Sequence, residues 1–529
     1  MKIYWGEAHD NTYQLESHLA GNEPPHAVTA LERAASHLDF YAAAYYTAEA
    51  SAFQEGGHLS QSDSPHELVL EGWKPQGRLD SEWPEVQAAT REMNRPGSFV
   101  TFPGYEWQGD GSSGDHNVFF LREGGKIHRV AKLAELYGGL RGQDAIAIPH
   151  HTAYRPGRRG RDWSVFDERL SPFAELYSVH GCSETDEEWV GMRQNSHLGP
   201  PVGAGTYQAA LDRGYHLGAI CGTDNWGEMP GHFGQGRMAC LAAELTREAL
   251  WEAFLERRVY GVTGDRVQLD FTVNDAVMGS IINAGSPRRI RVGVVGSDAI
   301  DRIEILRNGR VIATHCHQGT WDMPPAGRRS RFKMRIEAGW GPRPNELTIA
   351  DQEWRGELRI SGGRVLGFEP CWIAPGQGVP NLEGEQASFT FLTNTDHLQD
   401  RWQNANVFEF EADPAAPLCI RLNGLQETGT VKDFASSSRE MWFRDDCVAF
   451  LQDVAGIEPD SPERDDVYHH VAFKAKLHRP VPEAAYMAEF CIEDDEPLEG
   501  EINYRVRVEQ RNGERAWSSP IWVNQGDTP

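Results

Sequence analysis

Histidines and carboxylates recur in this sequence where a β-prone run has just ended or is about to begin. His9 and Asp10, with Asn11, follow Lys2–Trp5; Glu106 ends Ser98–Glu106; His116 opens His116–Leu121; the pair His150-His151 follows Ala145–Pro149; His180 follows Ala174–Val179; Asp224 follows Leu217–Cys221. α/β folds place functional groups on the rim where their strands end. A lone His or Asp near a strand end is more often a cap or a core hydrogen-bonding group than a ligand, but the joint set reads differently. Imidazole and carboxylate donors gathered on one rim suit one or two divalent cations, Zn²⁺, Mn²⁺ or Fe²⁺, with a bridging carboxylate able to hold two. Two such ions about 3.5–4 Å apart lower the pKa of a water and polarise a phosphoryl or carbonyl oxygen, so no Ser or Cys nucleophile is needed. His180, Asp10 or His151 could then move a proton as catalytic residues, His151 alternatively orienting a ligand.

Directly after the histidine pair comes Arg155-Pro-Gly-Arg-Arg-Gly-Arg161, the densest positive run in a chain whose formal net charge is -27. Guanidinium groups match phosphate or carboxylate in a two-pronged way, so Arg155, Arg158 and Arg159 are candidates for binding an anionic substrate; the competing reading is a solvated loop paired with nearby acids. The overall negative charge opposes the broad basic footprint of a nucleic-acid binder. A small anionic molecule is the expected partner, and a homo-oligomer is left open.

Those residues need a scaffold, and the 529-residue chain is long enough for several domains. Up to about residue 265, short apolar runs alternate with helix-like stretches at Ala27–His37, Pro84–Asn94 and Leu245–Arg257, and Val259–Val262 reads as a closing strand. The alternation predicts parallel β/α units, as a barrel or an open sheet. Beyond it, Gln268–Val273, Arg289–Val295, Ile300–Leu306 and Val311–Thr314 are β-prone, and Arg307-Asn-Gly-Arg310 supplies a hairpin turn. Residues 266–380 are expected to form a sandwich-like domain and 381–529 a further β-rich region, with Ile502–Gln510 and Trp517–Val523 as a second hairpin about Asn512-Gly513.

The start, Met1-Lys-Ile-Tyr-Trp-Gly-Glu-Ala-His9, lacks the basic flank and apolar core of a signal peptide, and no run nears the roughly 18 apolar residues of a membrane span. A cytoplasmic address with no membrane partner is expected. The 8 cysteines form no CxxC pair and read as reduced thiols. Trp321, Trp340, Trp354, Trp372 and Trp402 could stack on sugars, though sandwich cores use tryptophan more often. His315-Cys316-His317 cannot all face one ion, because strand neighbours alternate faces.

Several ordered strings resemble the PHP (polymerase and histidinol phosphatase) superfamily, in particular a bacterial branch with a long β-rich C-terminal extension. Tyr4-Trp-Gly-Glu-Ala-His-Asp-Asn-Thr12 is similar to its opening motif, Gly104-Tyr-Glu106 to its bridging-Glu motif, His116-Asn-Val to the following His, and Ile148-Pro-His-His151 to the next. Val179-His-Gly-Cys-Ser-Glu184, Gly222-Thr-Asp-Asn-Trp226, Val259-Tyr-Gly-Val-Thr-Gly-Asp265 and the segment from Arg505 to Trp522 extend the likeness over nearly the whole chain. The resemblance implies an α/β fold with a PHP-type distorted β/α barrel at 1–265, followed by a β-rich, sandwich-like C-terminal half. It implies one ion on His9, Glu106 and Asp224 with Asn11 as a weak donor, and a second on Glu106, His116 and His150. It implies hydrolysis of a phosphoester. The chain departs from the family at Asn11, at Tyr45 and Tyr46, and at Trp226, each standing where the pattern has a metal-site residue, so the third metal site looks dismantled. A hydrolase of the same architecture acting on an amide, lactone or other non-phosphate bond, and a non-catalytic binding pseudoenzyme, are the rival readings.

Overall fold

Three of the first strand runs are each interrupted, and the interruptions organise everything around them. β1 (Lys2–Glu7) resumes as β2 (Asn11–Thr12), β3 (Phe40–Ala42) as β4 (Ala44–Tyr46), and β5 (Val100–Phe102) as β6 (Gly104–Trp107). Pro103 at the third break has no N–H to give to a ladder. Its carbonyl accepts from Phe120 N–H at 2.9 Å, while Ala43 N–H turns to Phe102 O at 3.0 Å. The earlier halves pair in parallel as β1–β3–β5, and the later halves pair in parallel as β2–β4–β6.

The computed structural model describes residues 1–12, 27–47, 73–188, 190–192, 199–225, 229–317, 322–339, 351–393, 403–462 and 473–525. Two compact units divide the chain: Met1–Val294 with Asp301–Cys316 and Glu489–Pro529, and Val295–Ile300 with His317–Ala488. In the first unit, β6 is joined antiparallel to β7 (His116–Phe120) and β7 to β8 (Ala145–Pro149). β9 (Phe173–Ser178) lies antiparallel to β10 (Gly181–Cys182) and parallel to β11 (Gly218–Cys221). β1 is antiparallel to β12 (Arg237–Ala242), which is antiparallel to β13 (Val259–Val262). The unit is therefore mixed α/β rather than parallel throughout, and its ladders do not close into a barrel among the described residues. The link 108–115 is too short for the crossover that a parallel β6–β7 pair requires.

Strand alternation nevertheless builds one interior. Phe40 and Ala42, Val100 and Phe102, Phe119, Ile146 and Ile148, Phe173, Ile220, and Met238 and Cys240 meet in a single buried cluster. The intervening residues Tyr41, Tyr45, Tyr105, Trp107, Val118, Phe120 and Ala147 face a helical layer instead. That layer is α1 (Ala27–Ala35), α2 (Gln76–Met93) and α3 (Leu133–Leu140). α1 buries Ala27, Ala30, Leu31 and Ala34, the i, i+3, i+4, i+7 stripe of an amphipathic helix. α2 begins at Gln76, eight residues ahead of the start expected at Pro84. Pro84 sits inside it, and the turns around it are held by Leu79, Trp83 and Val86 in the core, with Trp83 Nε1 donating to Gly125 O at 2.8 Å.

Past residue 265 the expected hairpin forms: Ile300–Arg307 pairs antiparallel with Arg310–Cys316, with Asn308 at φ 47° and Gly309 at φ 77° in the turn. The last strands return to the first unit. Arg515–Ser518 pairs with β13 and with Ile502–Gln510, and Ile521–Gln525 lies on the other side of the latter. In the second unit, two sheets centred on Ser330–Ala338 with Asn404–Ala412 and on Gln352–Ile360 with Gln386–Thr393 share a core of Phe332, Met334, Trp354, Leu358, Phe389 and Phe408. Trp354 is buried in that core and Trp372 is buried with its Nε1 donating to Asn406 Oδ1 at 3.0 Å, which accounts for both as packing; Trp321, Trp340 and Trp402 lie outside the described residues. His315 and Cys316 are exposed.

One tie between the C-terminal return and the rest is titratable. His216 Nδ1 lies 3.0 Å from Glu168 Oε1 and its Nε2 lies 2.9 Å from Glu501 Oε1. The Glu168 contact chiefly, with Glu501 adding, lifts the imidazole above its ordinary value of 6.5 against partial burial. A folded-state pKa raised above the unfolded one stabilises fully below the unfolded value and is lost as pH rises through the folded one. The melting-temperature gap between the native protein and His216→Gln is expected to be widest below about pH 6.5 and to shrink above it, as read by thermal unfolding in a pH series. A gap constant from pH 5.5 to 9 contradicts this.

Candidate metal centre

The alternation that fills the interior with hydrocarbon continues to the strand ends and there presents donors. Ile146 and Ile148 are followed on the same face by His150, Phe173 by Glu175, and Ile220 by Gly222 and Asp224. Gly222 is required: a Cβ there would stand 2.5 Å from Glu175 Oε2 and 2.9 Å from His9 Cβ. All of these donors are buried.

Three overlapping sets of ligand atoms each lie within 4.8 Å of one another: His9, His150 and Asp224; Asp115, His150 and His151; and His151, His180 and Asp224. Asp224 Oδ1 lies 3.1 Å from His9 Nε2 and Oδ2 lies 3.0 Å from His180 Nε2, so one carboxylate spans two of the sets. The rings form a continuous row, with centroids 4.1 Å apart for His9–His150, 4.5 Å for His150–His151 and 4.8 Å for His151–His180. Glu106 borders the row, its Oε1 3.8 Å from His150 Nε2.

Outer contacts aim these rings. Glu175 Oε2 holds His9 Nδ1 at 2.8 Å, leaving Nε2 toward the centre, and Tyr154 OH meets His180 Nδ1 at 2.9 Å. This is the usual means of fixing an imidazole tautomer beside a metal. Glu7 accepts from His9 N–H at 2.7 Å and from Thr223 and Gly231 N–H at 3.2 Å each, joining β1 to the loop after β11. Tyr41 OH donates to Asp10 Oδ2 at 2.8 Å, and Asn11 Nδ2 donates to Asp224 Oδ1 at 3.3 Å. His151 and Asp224 have φ of 33° and 49°, a left-handed backbone costing roughly 1–3 kcal/mol at a non-glycine residue.

The donor set fits a cation. Neither ring nitrogen of His150 makes a hydrogen bond, nor do His151 Nδ1, Glu106 Oε2, Asn11 Oδ1 or Asp115 Oδ1, and all are buried. An unsatisfied buried polar group costs roughly 1–3 kcal/mol, so a cluster of them pointing at one another calls for a positive partner. The electrostatics agree. Burial opposes charge on His9, yet Asp224 and Glu175 carry its pKa well above the imidazole range. Burial works against Asp224 too, yet His9 and His180 hold it well below the carboxylate range. Burial, then the His9 charge, pushes His150 well down, and burial with Asp224 pushes Glu106 up to about 7.

His9, His150, His151, His180 and Asp224 are thus brought together, with Glu106 and Asn11 on the border, whereas Asp10 is held by Tyr41 and belongs to none of the three sets. His116 is not brought in either: it shares the outer face of β7 with Val118 and Phe120, its Nε2 3.5 Å from Tyr137 OH, and it belongs to none of the three sets. The residue before it, Asp115, is there instead, bound to His151 Nε2 at 3.3 Å and to Arg159 Nη2 at 2.9 Å. Of the arginine loop only Arg159 reaches the centre; Arg155 and Arg158 are exposed, and Arg161 is buried with its guanidinium on the carbonyls of Ser113, Asp162 and Val165. Of the positions where the resemblance led metal-site residues to be expected, Tyr45 faces the helices and donates to Glu82 at 2.5 Å, while Tyr46 OH accepts from Gln108, which also donates to Glu106. Trp226 lies outside the described residues. Asp115, Glu175, Glu7 and Tyr154 are the site residues that motif reading passed over.

No family model matches the chain. An uncharacterised protein of Chlamydia pneumoniae is 28% identical over 253 residues, 44% of this chain and 40% of that protein. One from Chlamydia trachomatis is 26% identical over 251 residues, again 40% of its length. The chain thus spans about two fifths of the curated relatives it matches. Among solved structures, a two-domain protein from Bacteroides vulgatus containing a predicted PHP-like metal-dependent phosphoesterase matches 58% of this chain and 79% of its own, at 10% identity and a TM-score of 0.32. A score that low transfers neither fold nor residue roles, and the chemistry is read from the donors themselves.

Two outcomes follow from this geometry. Glu175→Gln keeps the shape but loses the charge that orients His9, and is expected to weaken Zn²⁺ or Mn²⁺ affinity about 10–100-fold with the fold intact. Unchanged affinity in isothermal titration would remove Glu175 from the site. Cation binding must also strip protons from Glu106 and His9, so apparent affinity is expected to fall as pH drops through about 7, the value to which Glu106 is raised. Titration in two buffers of different ionisation enthalpy at pH 6.5 checks this; no proton release speaks against it.

Proposed function

We propose that the first unit is a divalent-metal hydrolase centre of the PHP type, the sheets around its donors a distorted and opened version of that barrel, acting on a phosphoester of a small anionic molecule. The observation that carries the reading is the convergence of buried, hydrogen-bond-free donor atoms on His150 and its neighbours. His9, His150, His151, His180, Asp115 and Asp224 would hold one or two Zn²⁺, Mn²⁺ or Fe²⁺ ions, with Glu106 and Asn11 completing the shell. Cations bound there supply Lewis acidity to a phosphoryl group and to water.

The chain's own residues do the rest. Arg159, anchored to Asp115 and still about a quarter exposed, offers the remaining face of its guanidinium to the substrate's anionic group. Burial of the inner wall limits bulk water. The Tyr154 hydroxyl, itself buried, lies 2.9 Å from His180 Nδ1 and can exchange a proton with that ring. Tyr46, held by Gln108 beside Glu106, adds a neutral phenol where a further metal ligand would bring charge.

The test is a substrate panel of phosphomonoesters, phosphodiesters, lactones and amides, run on chelator-stripped protein reloaded with Mn²⁺ or Zn²⁺. Turnover of phosphoesters that vanishes on stripping and returns with metal is expected. Metal-dependent turnover confined to lactones or amides would move the substrate class, and tight metal binding with no turnover would favour a binding protein. Arg159→Gln is expected to raise KM about tenfold or more, a charge-assisted contact being worth roughly 1.5–3 kcal/mol, while Arg158→Gln leaves it unchanged. Equal effects of the two would return the loop to solvent.

A further inference from the structure

The segment His180-Gly-Cys-Ser-Glu184 and the C-terminal hairpin built from Ile502–Gln510 and Arg515–Ser518 lie far apart in sequence, and they meet at a buried charge cluster. Glu184 is fully buried and accepts from Arg505 Nη1, from Trp517 Nε1 at 2.7 Å and from Arg507 Nη1 at 3.3 Å. Glu188 accepts from Arg507 Nη1 at 3.2 Å and Arg515 Nη1 at 3.1 Å, and Arg505 Nη2 donates to Gln208 Oε1 at 2.7 Å. Although Cys182, Glu184 and Glu188 lie close enough to suggest a metal set, three arginines and an indole already satisfy the two carboxylates. The cluster is a clamp.

What the clamp holds is the hairpin of β9 and β10, whose turn carries His180. Between Glu184 and His180 the chain has little slack. Gly181 and Cys182 pair with Ser178 and Tyr177, and Ser183 N–H donates to Leu176 O at 2.6 Å. Gly181 has φ 109°, and a Cβ there would stand 2.4 Å from Gly191 O. The imidazole at the tip lies 3.0 Å from Asp224 and 2.9 Å from Tyr154. A buried ion pair adds little net stability compared with a well-packed apolar pair, because desolvation offsets its attraction. Its particular contribution is geometry, since charged partners with directional hydrogen bonds tolerate few arrangements.

We infer that the C-terminal hairpin is a working part of the metal centre: Arg505 and Trp517, by fixing Glu184, are positioning residues for His180. The inference rests on the metal reading above and extends it to residues more than 300 positions downstream of the hairpin they steady. Arg505 touches none of the three donor sets, so it acts on bound cation only through the β9–β10 turn.

The test uses full-length protein loaded with Co²⁺, whose visible absorption reports the ligand field directly. Arg505→Met combined with Glu184→Gln removes both charges and leaves no buried ion unpaired. Arg505→Lys keeps a cation, Trp517→Phe deletes only the indole donor, and Phe254→Leu is a core change in the same unit outside the clamp. The double variant is expected to retain the Co²⁺ stoichiometry, shift the visible bands and bind about 10–100-fold more weakly, as loss of outer support does elsewhere. Arg505→Lys should lie between it and the native protein, and Phe254→Leu should keep the native spectrum whatever its melting temperature. Should the double variant fail to fold, Trp517→Phe must show the band shift by itself. Native spectrum and affinity in the folded double variant, or in Trp517→Phe where the double does not fold, overturn the inference, as does an equal shift in Phe254→Leu. A native protein that binds no Co²⁺ overturns the metal reading first and the clamp's role with it; a native protein that binds Co²⁺ isolates the clamp as the idea under test.

Discussion

Asp224 faces an imidazole with each of its two oxygens, and every other feature of the site can be traced to the burial of that arrangement. A carboxylate among four histidines is held in a place where water cannot satisfy leftover lone pairs, and several donors around it have no protein partner. Protons can settle part of that account, as the raised His9 and lowered Asp224 show. They leave His150, its pKa driven down, with no hydrogen bond at either ring nitrogen. One or two divalent cations would satisfy these groups, because neutral imidazole and ionised carboxylate are the forms they bind.

The fold meets the demand by using one rule twice. Period-two alternation fills the inner face of the strands with Phe102, Phe119, Ile148 and Ile220, then carries the same face beyond the hydrocarbon to Glu106, His150 and Asp224. The breaks at Ala43 and Pro103 let the later strand halves leave the first sheet and form another. Left-handed backbone at His151 and Asp224 turns the last donors inward at an energetic cost that cation binding can offset. The C-terminal strands complete the edge beyond β13, so the unit is assembled from both ends of the chain.

Much of this was legible in the sequence, and the gaps have physical causes. β7, β8, β13 and the Asn308-Gly309 turn are marked by local chemistry, namely apolar runs and residues that tolerate positive φ. β12 is bracketed only at its start, by Gly234 and Gly236, and its apolar run passes on toward the next helix with no turn residue to close it, while α2 extends through Pro84 because tertiary packing outweighs the local signal. The donors His9, His150, His151, His180 and Asp224 were visible as strand-end residues. His116 illustrates the limit of that cue: being next to a strand end does not choose a face, and alternation from Phe119 puts Asp115 inside and His116 outside. Glu175 lies within a strand rather than at its end, and the contact of Glu184 with Arg505 spans a separation that no local pattern encodes.

If these donors form a metal centre, a cation stands among them. Anomalous diffraction from crystals of the full chain, collected on both sides of the zinc, iron and manganese absorption edges, tests it most directly. An anomalous peak is expected among His9, His150 and Asp224, with any second peak in the neighbouring set that shares Asp224 or His150. Crystals grown with Zn²⁺ or Mn²⁺ that show no peak there, with the same side chains joined by direct hydrogen bonds or ordered water, would contradict it.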